Sequence, residues 1–195
     1  MGIIEVLVTQ SGRPSGLLGR LMVKIMNHMD SGINKWVIEK VNYPTGSALD
    51  IGCGGGETIL NLLKKNQIKN MIGIDYSLDA VTVTCKRISA FIKKQRANVI
   101  QGNVNALPFT QNYFDIILAV RSHYFWDNYE EAFSEIYRTL KPCGKIFIFS
   151  ERYKIEYHMK KYNSDESMKT LLQTTGFHDI LIENRAAIQC ITAIK

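Results

Sequence analysis

The stretch that decides the fold is Ala48-Leu49-Asp50-Ile51-Gly52-Cys53-Gly54-Gly55-Gly56-Glu57-Thr58. Its apolar start is typical of a buried strand, which stops at an acid and enters a turn with four glycines. Beyond the turn, residues 58–63 have helical spacing. Glycine permits a positive φ and lets a ligand approach the main chain, and the first N–H groups of the helix point toward such a ligand. The stretch therefore predicts a strand-loop-helix unit that binds a ligand.

The composition is that of one globular domain. The chain has 195 residues, of which 46% are hydrophobic and 22% charged, enough for a sizeable core. We expect a single domain over residues 1–195, with an N-terminal helical lid region in 1–45 and the core in 46–195. The four cysteines show no metal-ligand spacing and no paired pattern, so neither a metal site nor a disulfide framework is indicated.

The net charge bears on whether the protein binds an anionic partner. The formal net charge of +6 is compatible with an anionic partner such as RNA, but the basic residues are scattered, which favours a solvated face. The sequence has no apolar run of about 18 residues and no export signal, which predicts a cytoplasmic protein without membrane insertion. No pattern indicates an oligomeric state.

Helical spacing is clear near the N-terminus. Leu18, Leu21, Met22 and Ile25 fall on one face of a predicted helix over 17–29. Met22 is a candidate for the wall of a ligand pocket, although methionines at this spacing are more often plain core. A second, shorter helical pattern covers 35–41.

After the opening stretch, short apolar runs alternate with helical patterns. The predicted strands are 71–75, 98–101, 114–120, 145–150, 180–183 and 187–194. One predicted helix begins at Ser77, and two others cover 129–140 and 164–175. Residues 151–163 show no clear period and are predicted to form an irregular flap over the site. Such alternation predicts an α/β fold with a doubly wound, mostly parallel sheet and helices on both faces. Ligands bind such sheets at the carboxyl ends of the strands.

The glycine spacing disfavours a dinucleotide. A G-x-G-x-x-G loop needs a third glycine where this chain has Glu57, and an acid beside the helix N-terminus would repel a pyrophosphate. Asp75 lies 23 residues beyond Gly52, a suitable distance for a carboxylate that binds a ribose diol. These features favour a nucleoside ligand without phosphates over a nicotinamide cofactor.

Four motifs then follow one another at predicted strand ends. They are Asp50 to Gly56, Gly73-Ile74-Asp75-Tyr76-Ser77, Gly102-Asn103-Val104-Asn105-Ala106-Leu107-Pro108-Phe109 and Leu140-Lys141-Pro142-Cys143-Gly144. With them the chain resembles, over about 48–148, the class I S-adenosylmethionine-dependent methyltransferases of the type 11 and ubiquinone/menaquinone-biosynthesis-like kind. The resemblance implies a Rossmann-like seven-stranded sheet with an antiparallel last strand, S-adenosylmethionine as cofactor and S-adenosylhomocysteine as product.

The resemblance also implies a cofactor-binding set. Gly52 and Gly54 would contact the methionine end, Asp50 its ammonium group, and Asp75 the ribose. The other members of the set are Tyr76 beside the adenine, Asn103 and Val104 at the adenine edge, and Arg121. Alternatives remain for the two acids, since Asp50 is also a plausible turn acid and Asp75 a helix N-terminal acid.

Two positions depart from the family pattern. Asn103 replaces an acid that accepts a hydrogen bond from the adenine amino group, and its amide oxygen still allows that contact. Cys143 replaces a glycine, which predicts a turn without positive φ at that position. A nucleophilic role for Cys143, as in cytosine-5 methyltransferases, is disfavoured because this residue precedes its strand.

The acceptor side is less defined. His123 is the best-placed candidate base and is expected to titrate near neutrality, although a histidine bonded within a loop fits the sequence equally well. Tyr124, Phe125 and Trp126 are candidates, with Met22, for the acceptor pocket, or they are plain packing. Since no Asn/Asp-Pro-Pro-Tyr follows the fourth strand, we expect in-line methyl transfer to a small-molecule or lipophilic acceptor. An RNA-directed methyltransferase or an inactive cofactor-binding module is the alternative.

Overall fold

The computed structural model describes residues 31–41, 45–65 and 68–195. The predicted helix over 17–29, including Met22, lies outside the described residues, and the division into a lid region and a core stays a prediction. The first described helix, α1, spans Ser31–Lys40 and includes the predicted helical pattern around Trp36.

The described residues form one seven-stranded sheet in the order β3-β2-β1-β4-β5-β7-β6. The strands are β1 Thr45–Ile51, β2 Ile68–Asp75, β3 Ala97–Gln101, β4 Phe114–Val120, β5 Leu140–Glu151, β6 His178–Arg185 and β7 Ile188–Ile194. Strands β1 to β5 pair in parallel, and β7 runs antiparallel to both of its neighbours. The predicted Rossmann-like fold is therefore confirmed, including the antiparallel last strand.

Helices connect the strands. They are α2 Glu57–Lys64, α3 Leu78–Arg87, α4 Ser89–Lys93, α5 Tyr129–Thr139, α6 Arg152–His158 and α7 Asp165–Thr175. The predicted caps are confirmed, since the Ser77 hydroxyl accepts a hydrogen bond from the Ala80 N–H, and Gly176 ends α7 with a φ of 114°. The single helical pattern from Ser77 to about residue 92 is divided at Ile88 into α3 and α4.

The core consists of two apolar layers, one on each face of the sheet. Leu49 belongs to the layer beneath α5 and α7, while its neighbour Ala48 belongs to the layer beneath α1 and α2. Because successive strand residues point to opposite faces, burial of both faces requires continuous apolar runs such as β4. This packing fixes the strand ends that carry the polar residues of the four motifs.

Three expectations are wrong. Strand β5 begins at Leu140, so Pro142 and Cys143 lie within it at an irregularity where five residues of β5 span two of β4. Cys143 has a φ of 63°, contrary to the predicted turn without positive φ, and its N–H donates to the Lys195 carbonyl. The segment 151–163 is not irregular throughout, because it contains α6. That helix buries only Ile155, which is too little to give a helical pattern in the sequence.

Among the described residues, no helix combines the length and the apolar character needed to cross a membrane.

Candidate active site

The glycine turn, residues 52–56, joins β1 to α2 and lies over the end of β2. The N–H groups of Gly52 and Cys53 both donate to the Ile74 carbonyl, at 2.8 and 3.2 Å. Gly52 has a φ of 71°, and a Cβ at this position would overlap the side chain of Ser122. Ser122 is itself held by its hydroxyl, which donates to the Ile51 carbonyl at 2.6 Å. The end of β4 therefore abuts the glycine turn directly.

Gly54 is the part of this turn with space beside it. Its N–H donates to Asp75 Oδ2 at 2.8 Å, and its carbonyl accepts from the Thr84 hydroxyl at 2.7 Å. Its φ is 54°, and among the described residues a Cβ here would meet only the Gly52 carbonyl oxygen, at 4.0 Å. The backbone is thus fixed on one side and open on the other, which leaves room for a ligand against the main chain.

Asp75 ends β2 and connects the turn to the next helix. Its second oxygen, Oδ1, accepts from the Ser77 N–H at 2.9 Å. Burial raises the pKa of Asp75, while the N–H groups of Ser77 and Gly54 oppose that rise. Each carboxylate oxygen can accept a further hydrogen bond, so the arrangement allows ribose hydroxyls to bind in addition to the backbone.

Asp50 is the most enclosed acid of the site. Only 1% of the residue is exposed, and Oδ1 has no hydrogen-bond partner among the described residues. Burial, followed by the charge of Asp75, raises the pKa of Asp50 to about 8. A buried carboxyl oxygen without a donor is costly unless a partner arrives. An ammonium group would be a suitable partner, whereas among the described residues no loop N–H group donates to Oδ1.

The residues predicted at the adenine lie beyond Asp75. Tyr76 is exposed, Val104 is buried, and Asn103 accepts from the Asn105 N–H at 3.0 Å, which caps the short 3-10 helix Val104–Ala106. The Asn103 oxygen keeps a second lone pair for an adenine amino group. Leu78, at the start of α3, is also exposed.

Glu57 also has a defined partner. It stands in the first turn of α2, forms an ion pair with Arg87 and accepts a hydrogen bond from Asn61 at 3.2 Å. Glu57, the acid whose position disfavoured a pyrophosphate, therefore connects α2 to α3 through its ion pair with Arg87.

His123 lies in a short 3-10 helix, His123–Phe125, after β4. Only 1% of it is exposed, and its Nδ1 lies 2.8 Å from the Ser150 hydroxyl. Burial lowers the pKa of His123 to about 3, so the expected titration near neutrality is wrong. The contact with Ser150 corresponds to the alternative of a histidine bonded in place, while Nε2 has no hydrogen-bond partner among the described residues.

The aromatic residues that follow His123 are mostly in contact with other rings. The Trp126 ring lies 5.6 Å from that of Phe133, and the Phe125 ring 4.9 Å from that of His158. Tyr124 is 2% exposed and stacks on His158 at 5.5 Å with an interplanar angle of 13°. Packing accounts for Phe125 and Trp126, whereas the Tyr124 hydroxyl is buried without a hydrogen-bond partner of standard geometry among the described residues.

A buried charged group occupies the ends of β4 and β5. Arg121, with a φ of 59°, forms an ion pair with Glu151, and Lys154 Nζ lies 3.6 Å from the same Glu151 oxygen. Lys154 Nζ also lies 5.6 Å from the centre of the Tyr124 ring. We refer to Arg121, Tyr124, Glu151 and Lys154 as the Glu151 cluster. Sequence reasoning missed Glu151 and Lys154, because neither belongs to a motif.

No group of three or more potential metal ligands of the types His, Cys, Asp and Glu occurs in the described part of the chain. In the described part of the chain, the buried atoms without a hydrogen-bond partner of standard geometry include carboxyl oxygens of Asp50 and Glu151 and the imidazole Nε2 of His123, which suits an organic ligand.

Comparison with known proteins identifies the class. A family model described as "Methyltransferase domain" matches residues 49–148, about half of the chain and the span that carries the four motifs. The chain therefore belongs to this family, and it is a class I S-adenosylmethionine-dependent methyltransferase. Its cofactor is S-adenosylmethionine. Among the described residues, the space beside Gly54 and the Asp50 oxygen without a hydrogen-bond partner are compatible with this cofactor.

Two relatives are informative. The uncharacterized methyltransferase YdaC of Bacillus subtilis is 27% identical over 161 residues, which are 82% of this chain and 87% of YdaC. A demethylmenaquinone methyltransferase of Lactobacillus johnsonii is 30% identical over 120 residues, 60% of this chain. The match spans 49% of that relative, so about half of its length has no counterpart in the comparison.

Solved structures agree on the fold. A Methanococcus maripaludis protein assigned to the S-adenosylmethionine-dependent methyltransferases superposes with a TM-score of 0.74 at 22% identity, over 90% of this chain and 93% of that one. Phosphoethanolamine N-methyltransferase 2 of Haemonchus contortus, in complex with S-adenosylmethionine, gives a TM-score of 0.72 at 18% identity. That match covers 85% of this chain and 52% of the other.

Proposed function

We propose that this enzyme methylates a small-molecule acceptor and that Asp50, Gly52, Gly54 and Asp75 hold its cofactor. The observation that carries the cofactor site is the buried, unpartnered oxygen of Asp50 beside a glycine turn with open space at Gly54. Asp50 would bind the cofactor's ammonium group, and Asp75 its ribose. Tyr76, Asn103 and Val104 complete the proposed adenine side.

The bound cofactor supplies a methyl group that is already activated on a sulfonium, so the protein's task is to align the two reactants. Positioning of this kind contributes several kcal/mol, roughly 7–11 at most, to lowering a barrier. The joint between Gly52 and Ser122 supports this role, because it fixes the end of β4 against the glycine turn. We infer that His123 serves as a neutral wall of the site, since a base with a pKa of about 3 accepts protons poorly.

A small acceptor is supported by the relatives named for methylation of demethylmenaquinone. RNA is less well supported, since several basic side chains have intramolecular partners. Lys161 pairs with Glu130, and the Arg96 guanidinium donates to the Ile68 carbonyl at 2.8 Å. A cytoplasmic location stays a prediction, supported by four cysteines that form no disulfide.

Isothermal titration calorimetry with S-adenosylmethionine and S-adenosylhomocysteine tests the cofactor assignment. We expect both to bind with Kd values in the range of about 1 μM to 1 mM, and NAD not to bind. An RNA oligonucleotide titrated at increasing salt tests the alternative, because counterion release predicts a steep loss of affinity. Absence of binding by both S-adenosyl ligands would overturn the proposal.

A further inference from the structure

The Glu151 cluster is connected to the proposed cofactor site through Ser122. Arg121 precedes Ser122, the residue that abuts Gly52 and donates to the Ile51 carbonyl. Glu151 ends β5, the strand beside β4, and pairs with Arg121. The cluster thus stands at the same carboxyl edge of the sheet, on the side of β4 away from β2.

The cluster contains a polar group that its own residues do not satisfy. Glu151 is 8% exposed, and both Arg121 and Lys154 approach its Oε1, whereas Oε2 has no hydrogen-bond partner among the described residues. The Tyr124 hydroxyl lies nearby. Burial raises the pKa of Tyr124 and a hydrogen bond with the Arg121 side chain opposes that rise, but this contact lacks standard geometry. Leaving the buried Glu151 oxygen unpaired costs about 1–3 kcal/mol. A bound ligand is one source of the missing partner.

The chemistry of the missing partner follows from the groups present. A carboxylate oxygen accepts hydrogen bonds only, so the partner must carry a donor. The two cations and one carboxylate of the cluster leave an excess of one positive charge, which disfavours an ammonium group. A neutral hydroxyl satisfies both conditions.

Helix α6 encloses this place. Lys154 and His158, both on α6, contact the ring of Tyr124, and the N–H of Arg152 donates to the Ala187 carbonyl at 2.8 Å, which fixes the start of the helix. The cluster is therefore covered by protein and shielded from bulk water, which strengthens its electrostatic interactions.

We infer that Glu151 and Tyr124 are acceptor-binding residues, and that the methyl acceptor carries a proton-donating hydroxyl group that binds Glu151 Oε2 and the Tyr124 hydroxyl. This inference rests on the proposed function and names the substrate class of that site. It adds two contacts that the four motifs do not contain.

The test uses the full chain saturated with S-adenosylhomocysteine and three small probes. Hydroquinone carries the hydroxyl groups, 1,4-dimethoxybenzene lacks the donors, and benzylamine carries an ammonium group. Binding is followed by ligand-observed NMR. We expect hydroquinone to bind more tightly than either of the other probes, and Glu151→Gln and Tyr124→Phe each to weaken its binding about tenfold or more.

Two control variants separate the inference from folding and from the proposed function. Glu135→Gln removes a carboxylate paired with Arg138 on α5, and Tyr153→Phe removes a hydroxyl from an exposed tyrosine of α6. Both should bind hydroquinone as the unmodified chain does. Tyr124→Phe keeps the ring that stacks on His158, so it remains informative if Glu151→Gln unfolds.

The outcomes are distinguishable. If S-adenosylhomocysteine does not bind, the proposed function fails. If it binds but hydroquinone does not, or if hydroquinone and 1,4-dimethoxybenzene bind equally, the inference is overturned while the proposed function stands. The inference is also overturned if hydroquinone binding is unchanged in both cluster variants, or if the control variants weaken it equally.

Discussion

The ends of β1 and β2 and the ends of β4 and β5 lie along one edge of the sheet, but they are built differently. At β1 and β2, backbone N–H groups and carboxylates meet, as where Gly54 donates to Asp75. At β4 and β5, side chains from separate segments meet, as where Arg121 pairs with Glu151. The first arrangement suits a ligand of fixed chemistry such as a cofactor. The second can change with single substitutions, which suits selection of an acceptor.

The two regions also differ in the electrostatic effect of burial. Burial raises the pKa of Asp50 to about 8, so this acid becomes protonated when no ligand is bound at neutral pH. Burial lowers the pKa of His123 to about 3, so this base stays neutral. Both regions therefore avoid uncompensated charge before ligands bind, by titration in opposite directions.

Substitution of Asp75, the carboxylate proposed to bind the ribose, should give the largest effect on cofactor affinity. Asp75→Ala removes the carboxylate that would bind the ribose and that accepts from the Gly54 and Ser77 N–H groups. We expect affinity for S-adenosylhomocysteine to fall by about a hundredfold or more, since charge-assisted hydrogen bonds contribute roughly 1.5–3 kcal/mol each. Calorimetry measures the loss.

Asp115→Ala is the matched control for that variant. Asp115 lies at the opposite end of β4, where it accepts from the Ser47 N–H at 2.8 Å and pairs with Lys141. Its removal should lower the free energy of unfolding without changing affinity for the cofactor. Equal binding by Asp75→Ala and the unmodified chain would remove Asp75 from the proposed site.

An Asp50 variant tests the effect of burial on the pKa of this carboxyl. Because the folded-state pKa of about 8 exceeds the ordinary pKa of 3.8, the folded chain holds a proton that the unfolded chain releases between pH 4 and 8. Stability from this group is therefore present below pH 4 and is lost as pH rises toward 8. Asp50→Asn should remove a decline on the order of a few kcal/mol, measured by urea unfolding, while weakening S-adenosylhomocysteine binding.

His123 is expected to give the opposite pH dependence of the free energy of unfolding. Its folded-state pKa of about 3 lies below the ordinary pKa of 6.5, so the unfolded chain binds a proton that the folded chain excludes between these limits. Stability from this group rises as pH increases from 3 to 6.5. His123→Gln should remove that rise and leave the Asp50 slope between pH 6.5 and 8 intact. If the two variants change the pH dependence of the free energy of unfolding in the same direction, the assignment of opposite burial effects is wrong.

Two glycines of the same turn separate ligand contact from folding. Gly54→Ala places a methyl group in open space, so it should weaken cofactor binding several-fold and destabilise the fold only by left-handed strain, about 1–2 kcal/mol. Gly56→Ala has comparable strain but also directs its methyl group to 2.6 Å from Thr84 Cγ2, so its unfolding free energy should fall further. Paired calorimetry and urea denaturation check both. Unchanged binding by a folded Gly54→Ala protein would contradict ligand contact there.

The smallest effect is expected far from both regions. Cys143 has a φ of 63° within β5, a conformation that glycine adopts without a Cβ penalty. Cys143→Gly should raise the free energy of unfolding by about 1 kcal/mol and leave S-adenosylhomocysteine affinity unchanged. Cys85→Ala, at a half-buried position within helix α3, serves as the comparison variant. A loss of stability in Cys143→Gly would show that contacts of the cysteine outweigh the strain.

Much of the fold was accessible from local patterns. The bounds of β4, 114–120, were predicted residue for residue, and so was the cap at Ser77. Helix α6 was missed because only Ile155 is buried on it, so no apolar period identifies it. The start of β5 was misplaced because a proline and a left-handed residue normally end regular structure, whereas here an irregular pairing with β4 accommodates them.

By itself, the sequence determined the class of protein and the cofactor, because the glycine turn and its acids are contiguous motifs whose geometry is set by the backbone nearby. Tertiary structure decided what no motif contains: the protonated state favoured at Asp50, the neutrality of His123 and the meeting of Arg121 with Glu151. These properties depend on burial and on contacts between residues far apart in the chain. Only packing of β1, β4 and β5 side by side brings them about.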